Sequence, residues 1–218
     1  MAVKLSGPMV PPKQGGSPTQ VIVLLHGYGS DGNDLIGLAA YWRDLLPGAL
    51  FVAPNAPEPC RDNPSGFQWF AIDWDRPEYR EGAQEARPAI AEFLDDLWRQ
   101  TGLGPQQTVL SGFSQGAMMA LNVGLSLDSP LLGILAFSGA LIAPPGFPEN
   151  SAARPPICLV HGDRDPVVDP ELSEIAATTL RSNGFPVSYH VESGAGHTIA
   201  ADGLAFAGEF LAAVSATL

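Results

Sequence analysis

The sequence predicts an α/β fold: a mostly parallel central sheet with helices on both faces. Two observations carry this. Five apolar, β-rich runs recur at 21–25, 50–53, 108–110, 133–137 and 157–160. Continuous apolar runs suit strands buried on both faces of a parallel sheet. Between them lie segments with apolar residues at helical spacing, and alternating strands and helices form helix–sheet–helix layers.

The elements follow in order. Residues 3–10 read as a first strand or hairpin, and 21–25 as the first buried strand. Segment 34–46 carries Leu35, Leu38, Ala39, Trp42 and Leu45 on one helical stripe. After the strand at 50–53 comes an irregular stretch, 54–76, rich in Pro, Asn and aromatics. A loop that long in a compact domain is usually functional or mobile. Segment 81–101 places Ala86, Ile90, Phe93, Leu94, Leu97 and Trp98 at helical spacing. Pro88 lies inside it and, lacking an N–H, is expected to kink the helix or start its second half. Helices at 115–127 and 171–182 follow the strands at 108–110 and 157–160. A sixth strand, 187–191, alternates more and reads as nearer the sheet edge. A helix at 199–216 comes last.

Composition narrows the class. The 218 residues fit one domain, 1–218, without repeats or linkers. Lys and Arg number 11 against 23 acidic residues, and the resulting charge of −12 argues against a nucleic-acid partner, which needs a basic footprint. An apolar share of 45% is too high for a disordered acidic chain. No uninterrupted apolar stretch reaches the length of a membrane span, so none is expected. Residues 1–8 lack the apolar core of a signal peptide, and a cytoplasmic protein is expected. Cys60 and Cys158 are too few to make a disulfide framework and have no metal-ligand spacing around them.

The sharpest local signal is Gly112-Phe113-Ser114-Gln115-Gly116. It matches G-x-S-x-G, the turn that presents a nucleophilic serine between a strand and a helix. The pattern alone is weakly specific. Its context supplies the rest, because an apolar strand precedes it and an amphipathic run follows. A serine hydroxyl needs a base, and the base an orienting acid. In this architecture their chain order is serine, acid, histidine. His197, in the Gly-rich segment 193–197 between the last strand and the last helix, is well placed as base; His190 falls inside a strand. The acid belongs just past 157–160, where Asp163, Asp165 and Asp169 compete. Asp163 sits in the tight turn and suits backbone amides. Asp169 precedes Pro170 and looks like a helix cap. Asp165 is the preferred acid.

Acyl transfer also needs preorganised donors for an oxyanion. The amide after the nucleophile, Gln115, supplies one. The loop 25–32, with Gly27, Gly29 and Gly32, supplies the other, assigned to the amide of Tyr28. This loop lacks both G-x-G-x-x-G and the P-loop lysine, so it is not read as a phosphate site. His26 is expected to brace the loop.

With these residues in hand the chain resembles the phospholipase/carboxylesterase group of compact α/β-hydrolases, which includes bacterial carboxylesterases and acyl-protein thioesterases. The resemblance rests on 24–29, 54–59, 68–70, 112–116, 161–168 and 196–197, in family order over most of the chain. It implies an α/β-hydrolase fold, Ser114, Asp165 and His197 as catalytic triad, the Tyr28 and Gln115 amides as oxyanion hole, no cofactor and no metal. A homodimer is compatible with it. Only 139–156 separates two late strands, leaving no room for a cap domain. The stretch 57–75 is expected over the site, which makes Trp69 and Phe70 candidate acyl contacts, with Phe113, Leu141, Ile142 and Val168 as weaker ones. The expected activity is carboxylic ester hydrolysis on a small-molecule or lipid ester. Thioester or lysophospholipid hydrolysis is the alternative, and a catalytically inactive lipid- or protein-binding hydrolase fold the non-enzymatic one.

Overall fold

The computed structural model describes residues 4–72, 79–149, 151 and 153–218. Val3 of the predicted first strand and 73–76 of the long loop lie outside them. In chain order the elements are β1 (Met9–Val10), β2 (Gln20–Leu25), α1 (Gly32–Leu35), α2 (Ala39–Trp42), β3 (Ala49–Val52), β4 (Glu58–Pro59), β5 (Phe67–Gln68), α3 (Tyr79–Thr101), β6 (Thr108–Phe113), α4 (Gln115–Gly124), β7 (Gly133–Phe137), β8 (Ile157–Gly162), α5 (Glu171–Ser182), β9 (Val187–Glu192) and α6 (Ala201–Ser215).

Seven strands form one sheet in the order β1-β3-β2-β6-β7-β8-β9. Only β1 runs antiparallel, against β3; the other pairs are parallel. The five apolar runs occupy the interior and β9 the edge, where its side chains are largely half-buried or exposed. Along each inner strand the side chains alternate between two cores. Val21, Val23, Leu25, Leu110, Ile134, Ala136 and Leu159 pack against α3, α4 and α5. Ile22, Leu24, Val109, Leu135, Phe137 and Val160 pack against α1, α2 and α6. This two-sided burial is why the strands read as unbroken apolar runs. Full burial of each large aliphatic side chain contributes about 1.5–3 kcal/mol. The Trp42 indole N–H donates to the Leu204 carbonyl and ties α2 to α6.

Four expectations are corrected. The single helix over 34–46 is instead α1 and α2 joined by a 3-10 turn, Ile36–Leu38. Gly37 sits in that turn, and glycine costs an α-helix interior about 1 kcal/mol relative to alanine. The predicted 3–10 strand shortens to Met9–Val10, although the Ser6 and Pro8 carbonyls accept the Asn55 and Ala53 amides just before it. The irregular 54–76 stretch contains the small β4–β5 ribbon. α3 continues through Pro88 as one helix of 23 residues. Among the described residues, the segment joining β7 to β8 adds no helix or strand and so no cap.

Candidate active site

The site lies where parallel strands end together. Leu25 pairs with Gly112, Phe113 with Phe137, and Gly162 with Glu192. The loops leaving the carboxyl ends of β2, β6, β7, β8 and β9 therefore converge on one sheet edge, where ligands of open α/β sheets bind.

Ser114 occupies the turn between β6 and α4 at φ 54°, ψ −118°. A non-glycine residue there is strained. The turn is tight enough to forbid neighbouring side chains. A Cβ on Gly112 would lie 2.3 Å from the Gly116 carbonyl carbon, and one on Gly116 2.0 Å from the Leu25 carbonyl oxygen. The Ser114 amide donates to the Phe137 carbonyl, fixing the turn to β7. The serine keeps 9% of its surface exposed.

The predicted acid and base come from adjacent loops. His197 Nδ1–H donates to Asp165 Oδ2 at 2.6 Å. Asp165 Oδ1 accepts the amides of Val167 and Val168 at 2.8 and 3.0 Å. Burial pushes the Asp165 carboxyl up, but the His197 bond and the two amides outweigh it and hold it below the usual carboxylate range. The His197 ring lies 4.7 Å from that of Phe113, the residue before the serine. Of the two competing acids, Asp163 Oδ1 accepts the Gly194 amide at 2.6 Å and so holds the base loop. Asp169 Oδ1 accepts the Glu171 amide at the start of α5.

On the other flank, the loop after β2 reaches the nucleophile: a Cβ on Gly27 would lie 3.4 Å from the Ser114 Cβ. His26 is fully buried, and desolvation lowers its pKa, so it stays neutral. Its Nε2 accepts the Ala56 amide, its Nδ1–H donates to the Gly27 carbonyl, and its own carbonyl accepts the Trp69 indole N–H. The Tyr28 hydroxyl donates to Asp62, and burial with its Cys60 and Asp62 bonds raises its pKa. The Gln115 amide opens α4, where helix N–H groups have no intrahelical acceptor.

Several structural residues escaped sequence reasoning. The Gln115 side chain clamps the long loop, accepting from the Trp69 amide and donating to the Phe70 carbonyl. Glu192 is buried, and its carboxylate accepts the Ala200 and Gly203 amides where α6 begins. His161, wholly buried, contacts Asp165. A polar residue ending an apolar strand was the available signal for His161, since buried polar groups need partners.

The predicted acyl contacts are placed unevenly. Trp69 and Phe70 are buried, the latter against α3 at Gly82. Ile142 and Val168 are buried too. Phe113 and Leu141 are half-buried. Among the described residues, no cluster of three or more His, Cys, Asp or Glu could hold a metal ion, both cysteines are free, and no helix is long and apolar enough to cross a membrane.

A family model of phospholipases and carboxylesterases matches residues 9–215. The chain belongs to that family. Two curated relatives agree. Esterase YpfH of Escherichia coli strain K12 is 31% identical over 83% of this chain and 76% of its own length. Acyl-protein thioesterase 1 of Neurospora crassa is 30% identical over 88% of this chain and 86% of its own. The crystal structure of esterase PE8 superposes with a TM-score of 0.94 and 51% identity, covering 97% of this chain and all of that one. Arabidopsis thaliana SOBER1, at 23% identity and a TM-score of 0.78, shares the fold. These relatives support hydrolysis of esters.

Proposed function

We propose that the chain is a cofactor-free serine carboxylesterase acting through an acyl-enzyme on Ser114. The observation that carries this reading is the 2.6 Å bond from His197 Nδ1–H to Asp165, beside a serine held at positive φ. That bond commits the neutral imidazole to the tautomer whose Nε2 lone pair is available as a base.

Ser114 Oγ attacks the ester carbonyl while His197 Nε2 takes its proton. The tetrahedral oxyanion is held by the amides of Tyr28 and Gln115; loss of one such donor costs about 3–4 kcal/mol of transition-state stabilisation. His197 returns the proton to the leaving alcohol, then activates a water that attacks the acyl-enzyme and regenerates Ser114. Asp165 stays ionised and stabilises the imidazolium. Phe113, beside His197, is the favoured acyl contact.

Ser114→Ala is expected to lower turnover of an aryl ester by on the order of 10⁴-fold or more. Retained near-wild-type activity would remove Ser114 from the mechanism. Labelling by a fluorophosphonate separates this enzyme from an inactive binding fold, which would leave Ser114 unmodified. A second reading, thioester hydrolysis on acylated proteins, is favoured by relatives named acyl-protein thioesterase 1. A chain-length series of aryl esters compared by kcat/KM with an acyl thioester decides between them.

A further inference from the structure

His161 has no place in a three-residue mechanism, yet it reaches the same carboxylate oxygen as the proposed base. Its Nε2 lies 3.1 Å from Asp165 Oδ2 and 3.0 Å from the Val168 carbonyl. Its Nδ1 lies 2.6 Å from Ser173 Oγ, and that hydroxyl is also 3.0 Å from the Gly139 carbonyl. The side chains of His161 and Asp165 are both completely buried.

The proton on this ring can be placed by hydrogen-bond accounting. Nε2 faces two acceptors, one of them an ionised carboxylate. Were Nε2 unprotonated, its lone pair would point at both, and neither could supply a hydrogen. With the proton on Nε2, Nδ1 becomes an acceptor for the Ser173 hydroxyl, and only the longer Ser173 contact to Gly139 is given up. A bond to an ionised acceptor is roughly twice as strong as a neutral one, so the Nε2–H tautomer wins. An imidazolium would satisfy every contact, but burial lowers the His161 pKa and outweighs the opposing pull of Asp165 and the Val168 carbonyl. Asp165 and His197 are the charged or titratable groups acting on it, and from α5 the Ser173 hydroxyl meets its Nδ1.

We infer that His161 is a positioning residue, a neutral Nε2–H donor that fills the last acceptor site of Asp165. The carboxylate then receives four donors, from His197, His161 and the amides of Val167 and Val168. That is its full acceptor capacity. Its plane is fixed, and the added donor lowers its basicity, which disfavours transfer of the His197 proton onto it. The role rests on the serine-hydrolase reading above.

The test has two arms. Long-range ¹H–¹⁵N NMR of the wild-type enzyme reads the His161 tautomer without any substitution. A protonated Nε2 with a bare Nδ1 is expected; a protonated Nδ1 overturns the assignment. Kinetics supply the second arm. His161→Phe keeps the ring's bulk and removes the donor. It leaves Asp165 more basic toward His197, so the acid limb of kcat/KM is expected to move up by about half a pH unit. kcat is expected to fall roughly tenfold through the loosened geometry. His161→Gln restores an N–H near the Nε2 position and is expected to return the limb to its wild-type pH. If both variants fold and share one limb, His161 acts only as packing. Should His161→Phe fail to fold, the wild-type tautomer still decides. Hydrolysis that survives Ser114→Ala refutes the serine-hydrolase reading instead, and the wild-type tautomer remains readable.

Discussion

The turn proposed to carry the nucleophile and the loop proposed to carry the base lie side by side, with the Phe113 and His197 rings in contact, but opposite means hold them. The turn is shaped by missing atoms. Gly112 and Gly116 have no room for a Cβ, and Ser114 is forced to positive φ between them. The base loop is shaped by added polar atoms. Asp163 holds Gly194, Asp165 holds His197, and Glu192 holds Ala200 and Gly203 at its far end. Steric exclusion does not titrate. Carboxylate bonds do, and their partners here lie up to 32 residues away in the chain. The proposed nucleophile is therefore held by packing that does not titrate, beside a proposed base whose support depends on ionisation.

The largest test breaks the steric half. Gly116→Ala sets a Cβ 2.0 Å from backbone oxygen of β2, so the strand or helix must shift. The expected cost is about 3 kcal/mol or more by urea unfolding, equal at pH 5 and pH 8. A change under 1 kcal/mol would show that the turn yields and the contrast is overstated.

Gln115 is where the two devices meet, because the turn's own residue reaches out to the long loop. Gln115→Ala strands the buried Trp69 amide and removes a donor to the Phe70 carbonyl. A loss of roughly 1–3 kcal/mol is expected from the buried amide left unpaired, with KM raised more than kcat lowered. Unchanged stability would mean that the 57–72 loop finds other partners.

The smallest effect concerns sign. Burial raises the Glu192 pKa despite its two amide bonds. A raised folded-state pKa means that the native state binds this proton more tightly, so its stabilising contribution is complete below the unfolded value and fades as pH rises through the folded one. Asp165 runs the other way: its pKa is lowered, and its contribution is present above the unfolded value and lost as pH falls through the folded one. Glu192→Gln keeps an acceptor for both amides and carries no charge. Its stability relative to wild type is expected to rise as pH climbs above about 4.5, as wild-type Glu192 ionises. Parallel denaturation curves across that range would show that Glu192 carries no linked proton.

Much of this was legible along the chain because its causes are local. Unbroken apolar runs announced buried parallel strands. The glycines around Ser114 announced a turn too tight for side chains. A tight turn at Asp163 and a helix start at Asp169 ranked Asp165 above both, and the structure sends each of the three to separate work. The helix over 34–46 was misread because its apolar stripe ignores a glycine that favours a tighter turn. Trp69 and Phe70 are expected as acyl contacts because the family resemblance sets 57–75 over the site, and both are buried. Their burial follows from Gln115 and His26, which reach them from distant segments.

By itself, the sequence determined the layered α/β fold, the strained serine turn and the identities of the acid and base candidates. These depend on periodicity, missing Cβ atoms and short spacing, all readable within a dozen residues. Tertiary structure alone decided the supporting bonds: Asp165 with both His197 and His161, Gln115 with the long loop, Glu192 with the start of α6. A buried polar side chain must find its partner in space, and which partner arrives is settled only when the sheet brings the strand ends together.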